Sequence, residues 1–147
     1  MMHNATTLQR HSGMTSAIKV CLAIFLTLLV VLSSRADDIP LKQTFVIALQ
    51  QAVRTGDKAW LADHMRYPLR YDGRSKISVR SKASFLKNYA SIIGEKLRTA
   101  VLAQEPGNVF ENWQGMMVGE GSYNIWIRNV GDSLNERYEL ITINDVE

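Results

Sequence analysis

At Met65 the hydrophobic pattern changes period, and that change constrains what the chain can fold into. Before it, the segment after Pro40, LKQTFVIALQQAVRTG, carries Phe45, Leu49, Ala52 and Val53 at the three-four spacing of a helix stripe. Gly56 is placed to end that helix, and Asp57 can cap a second short one whose Trp60, Leu61, His64 and Met65 share a face. After Met65 the period is two. In RYPLRYDG, Arg66, Pro68 and Arg70 point one way while Tyr67, Leu69 and Tyr71 point the other. KISVRS repeats the alternation with Ile77 and Val79 inward, so Asp72 to Ser75 reads as the turn of a hairpin. Pro68 cannot donate to a ladder, which puts its strand at an edge or its proline at a bulge.

Ser81 can cap a third helix with a stripe of Phe85, Tyr89, Ile92 and Ile93 and a stop at Gly94. LRTAVLAQ, NVFENWQG, MMVGEGSYNIWIRN and ERYELITIN then read as strands, rich in Val, Ile, Trp, Tyr and Phe. Gly115, Gly119 and Gly121 fall inside or between them, where a bulge or bend is expected. Helices first and strands last predict an α+β domain, with three helices from its N-terminal half packed on an antiparallel sheet.

Residues 20–32, VCLAIFLTLLVVL, are too few to span a bilayer, which takes about 20 apolar residues. With Lys19 before the run and small residues at Ser34 and Ala36 after it, residues 1–36 predict a cleavable signal peptide, with Met14 as an alternative start. Cleavage between Ala36 and Asp37 leaves one domain over 37–147 in a periplasmic or secreted protein, touching the membrane only through its leader. Removing Arg10, Lys19 and Arg35 from the 17 Lys+Arg leaves 14 against 14 Asp+Glu, so the formal +3 belongs to the leader. Cys21, His3 and His11 leave too. Without a thiol, and with His64 as the one histidine, the domain excludes disulfides, Cys/His zinc sites and cysteine nucleophiles, and no cofactor is expected.

Phe45, Ala48-Leu49 and Gly56-Asp57, then YPLRY, S.ASFLKNY..I and FENWQGMMVGEGSYNIWI, resemble the nuclear transport factor two-like superfamily, which includes ketosteroid isomerases and scytalone dehydratases. The resemblance implies a strongly curved, cone-like sheet wrapped by three helices around a pocket, with a homodimer formed through the sheet in many members. It makes Trp60, Tyr67, Tyr89, Trp113 and Trp126 pocket candidates, with Glu111 on the strand face of Trp113; the opposing reading is that these rings fill the core. The superfamily is a container reused for unrelated tasks, so function must come from the site.

No catalytic set is evident. An isomerase needs a pocket carboxylate beside hydrogen-bond donors. Asp72 lies in a turn, Asp63 and His64 are helix neighbours about 100° apart, and Glu111 fits a rim. No G-x-S-x-G occurs, the acids are too scattered for a metal, and no glycine-rich loop opens a helix. Charge is divided instead: residues 37–98 hold 12 Lys+Arg against 6 acids, and 99–147 hold 2 against 8. Arg66, Arg70, Arg74, Lys76 and Arg80, with Lys82, mark a basic hairpin face that suits an acidic partner, or else a solvated edge guarding against aggregation. The expected function is an exported, non-catalytic binding module of the cell envelope. It would engage a small molecule in the pocket or an acidic envelope protein through the basic face. A periplasmic inhibitor or immunity protein and an isomerase or dehydratase are the alternatives. Nucleic acid does not fit a neutral, exported domain.

Overall fold

The computed structural model describes residues 39–132 and 134–146; the cleavage pair Ala36 and Asp37 lies outside them. The chain runs α1 (Leu41–Thr55), α2 (Lys58–Asp63), β1 (Met65–Gly73), α3 (Lys82–Ile92), α4 (Glu95–Ala103), β2 (Phe110–Asn112), β3 (Gly115–Glu120), β4 (Tyr123–Asn129) and β5 (Tyr138–Asp145). This is an α+β fold with helices on one face of a five-stranded sheet ordered β1-β5-β4-β3-β2.

The helix boundaries follow the local chemistry. Gly56, at φ 70°, closes α1 by donating to the Ala52 carbonyl, and Asp57 accepts from the Trp60 N–H to start α2. Ser81 caps α3 in a capping box with Ser84. The helices also cap one another. Gln50, buried on α1, donates to Val101 O at 2.9 Å and Gln104 O at 2.6 Å, satisfying the end of α4. Arg98 on α4 donates to Val53 O at 2.6 Å near the end of α1.

Three expectations are corrected. The first strand expected after Gly94, LRTAVLAQ, is the helix α4, so four helices are present among the described residues. Its buried residues Leu97, Ala100 and Val101 stand at three-four spacing, and Leu, Lys, Arg and Ala are strong helix formers. The sheet is mixed, because β1 runs parallel to β5 while every other pair is antiparallel. A parallel neighbour needs a long crossover, and α3 and α4 lie within it. The second hairpin arm is a single bridge between Leu69 and Val79, and the Ile77 N–H turns back to Ser75 O at 2.8 Å instead of joining a ladder. Pro68 does stand on an edge strand, within a register break between Met65 and Arg70.

The core fills the space between helices and sheet with Leu49, Leu61, Phe85, Ile92 and Leu97 against Val118, Ile125, Ile127, Leu140 and Ile143, all without solvent exposure. Gly115, at φ 138°, permits the close approach of β3 to β4: a Cβ there would stand 2.2 Å from Ile127 O.

Candidate functional site

Alternation turns Tyr138 and Leu140 of β5 toward the helices, and where α1 and α2 meet the start of β5 the layer opens into a groove of about 340 Å³. Four rings line it. Phe45 of α1 lies 5.6 Å from Trp60, 5.7 Å from His64 and 5.4 Å from Tyr138, centroid to centroid. Trp60 and His64, four residues apart on α2 and its C-cap, are stacked at 3.9 Å and 19°. His64 Nδ1 lies 2.7 Å from the Trp60 carbonyl. A carbonyl only accepts, so Nδ1 is the donor in this contact.

The groove's rim is polar. The Tyr138 hydroxyl donates to Glu136 Oε2 at 2.9 Å. Burial, then the hydrogen bond to Glu136, then the charges of Glu136 and Glu111 push the Tyr138 phenol up to about 12. Glu111 is paired with Lys42, at 2.9 Å. The arrangement offers flat apolar faces, an imidazole edge and a carboxylate-bound phenol.

The sequence-derived pocket candidates are not gathered in one cavity. Trp60 lines this groove and Glu111 stands near it, exposed. Tyr67 uses its hydroxyl on Ala62 O, and burial followed by the Asp63 charge raises its pKa. Tyr89 packs edge-on against Phe85 with the Lys58 ammonium over its ring. Trp113 is 88% exposed in the β2–β3 turn, and Trp126 stands on the sheet face away from the helices. Asp63, Asp72 and Glu111 are all exposed; the buried carboxylate among the described residues is Asp145, against Gly94 at the start of α4.

Arg66, Arg70, Arg74, Lys76 and Arg80 are all exposed, and Arg70 and Arg80 border one depression between β1 and residues 77–80. Lys82 pairs with Asp63. Sequence reasoning missed Phe45 and Tyr138 as site residues, and set His64 aside. The available signal was the i, i+4 placement of Trp60 and His64 on one helix face.

Among the described residues no cluster of metal-ligating side chains occurs, and no helix is long and apolar enough to cross a membrane. No protein-family model, curated protein or solved structure matches this chain.

Proposed function

We propose that the chain is an exported, non-catalytic binding module of the cell envelope, periplasmic or secreted, that holds a small, largely apolar ligand in the Phe45–Trp60–His64–Tyr138 groove. The observation that carries this reading is the ring cluster itself. Four aromatic side chains line an open groove while the core beneath is filled by aliphatic residues and Phe85. Apolar walls with a few placed polar groups are the usual composition of a small-molecule site. Kinship with the nuclear transport factor two-like superfamily and a curved, cone-like sheet belong to the same proposal; helices on one face of a sheet are in keeping with them, while the fourth helix exceeds the three that the resemblance implies.

The test is a ligand screen on the full chain. Aromatic and aliphatic envelope metabolites should raise the melting temperature, and Phe45→Ala or Trp60→Ala should remove the shift. A screen without hits, or hits indifferent to both variants, would remove the reading's basis.

A second reading, a protein inhibitor or immunity partner, has the exposed basic face in its favour, since Arg66, Arg70, Arg74, Lys76 and Arg80 are all solvent-exposed and of one charge sign. Reversing Arg66 and Arg80 to Glu should then abolish crosslinking to the partner while leaving ligand binding in the Phe45–Trp60–His64–Tyr138 groove intact. The isomerase reading asked for a sheltered carboxylate, and Asp63, Asp72 and Glu111 are not sheltered.

A further inference from the structure

The face of the sheet turned away from the helices carries a row of residues in register across all five strands: Arg70, Thr142, Trp126, Met117 and Phe110. Arg128 stands two residues beyond Trp126 on the same strand and therefore on the same face. Adjacent strands lie about 4.8 Å apart, so the Arg70 and Trp126 backbones are about 10 Å apart with Thr142 between them, well within the reach of two arginine side chains. Arg70, Arg128, Trp126, Thr142, Gln114 and Asn144 border one depression of about 250 Å³.

Four features make this more than a polar sheet face. Neither arginine has an ion pair among the described residues. Arg128 spends only its Nε on the protein, donating to Gln114 O at 3.1 Å, which anchors the guanidinium and leaves its terminal N–H groups for a ligand. No carboxylate borders the depression. Glu139 lies opposite Arg128 on β5 but is engaged by Arg137 at 3.3 Å, and Asp72 lies farther along β1, opposite Asn144. The Trp126 indole is braced edge-on by Phe110 at 6.3 Å and 87°.

We infer that this depression is a second binding site, separate from the aromatic groove, which takes an oxyanion carried on a planar ring. The two guanidiniums and the Thr142 hydroxyl hold the carboxylate or phosphate, and the ring lies against Trp126. Guanidinium N–H forks match the oxygens of both anions, while the indole supplies a flat apolar surface. The volume suits one ring and its anionic group rather than an extended ligand.

The test is an NMR titration of the full chain, reading the Trp126 indole N–H, with benzoate, phenyl phosphate, inorganic phosphate and benzyl alcohol as probes. Both ring anions should shift the indole, and the tighter one separates a carboxylate source from a phosphate source. Arg70→Gln and Arg128→Gln should each weaken the ring anions about fivefold or more, as expected for losing one charge-assisted contact. Inorganic phosphate should bind more weakly than phenyl phosphate, and benzyl alcohol should leave the indole unmoved. The two arginine variants, exposed or half-buried and remote from the core, keep the indole that the titration reads. The inference fails if neither ring anion shifts the indole, if benzyl alcohol binds as well as benzoate, or if the arginine variants bind like the parent chain.

Discussion

Ile125 and Trp126 are neighbours on β4, yet Ile125 faces the helices with no solvent exposure while Trp126 stands half-buried on the open face. The same division runs through every long strand of the meander. Met116 and Val118, Ile125 and Ile127, Leu140 and Ile143 point inward, whereas Met117, Trp126, Arg128 and Thr142 point outward. The inward row is aliphatic and closely packed, so it stabilises the fold and has nothing to offer a ligand. The outward row mixes rings, guanidiniums and a hydroxyl, and contributes little to packing. Alternation separates the packed face from the open one along β3 and β4, and on β5 a bulge opposite Trp126 and Ile127 keeps Leu140 and Ile143 on the packed side.

Truncation should expose that asymmetry. Ile125→Ala removes atoms from the packed interior and should cost about 4 kcal/mol, read as a lower urea midpoint at unchanged slope. Met117→Ala, in the adjacent row of the open face, should cost less than about 1 kcal/mol. Equal costs would break the contrast and mean that the outer face is itself covered in solution, as by a second copy of the chain. Gly115→Ala should rank next, at roughly 3 kcal/mol. The new Cβ would meet Ile127 O, and residue 115 would have to keep a backbone conformation at φ 138° that favours glycine. That cost would show that β3 and β4 are held close by the inward packing, with no slack for the sheet to open.

Much of this division is legible in the sequence, because period-two patterning records which side chains share a face. Ile125 and Ile127 against Trp126 can be read without coordinates, whereas Leu140 and Ile143, three residues apart, share the inward face only through the bulge opposite Trp126 and Ile127. What alternation cannot show is which strands are neighbours. Arg70 and Arg128 are 58 positions apart and meet only because β1 docks parallel against β5, a pairing that no turn dictates. The segment after Gly94 misleads for a different reason. In EKLRTAVLA, Leu97, Thr99 and Val101 satisfy a strand pattern while Leu97, Ala100 and Val101 satisfy a helical one, and packing against α1, β3 and β4 decides between them. His64 was legible as a helix-face residue, but its stacking on Trp60 and its shared groove with Tyr138 depend on where β5 begins.

The helix layer is fixed to the inward face partly by two long side chains, and removing one should have a smaller effect than removing core volume. Gln50→Ala takes donors away from Val101 O and Gln104 O in a buried setting and should cost about 2 kcal/mol. Hydrogen exchange should locate the loss in the last turn of α4. Protection lost evenly across the sheet instead would mean that α1 and α4 do not behave as a separately capped pair.

The smallest expected effect falls at Tyr138, where the inward row reaches the open groove and the two kinds of surface meet. Its phenol, ordinarily near 10, is pushed up to about 12 by burial first, then by the hydrogen bond to Glu136, then by the charges of Glu136 and Glu111. The folded chain therefore holds this proton more tightly than the unfolded chain does. By linkage the resulting stability is fully present below about pH 10 and is lost as pH rises through the folded value. Tyr67 and Tyr71 are raised as well, each first by burial, and contribute with the same sign. Tyr138→Phe should accordingly make the alkaline decline in urea midpoint shallower between about pH 10 and 12 without abolishing it, and should remove the latest-titrating component of the 295 nm phenolate absorbance. An unchanged slope would place Tyr138 in water in solution, opening the groove wider than the ring contacts of Phe45 allow.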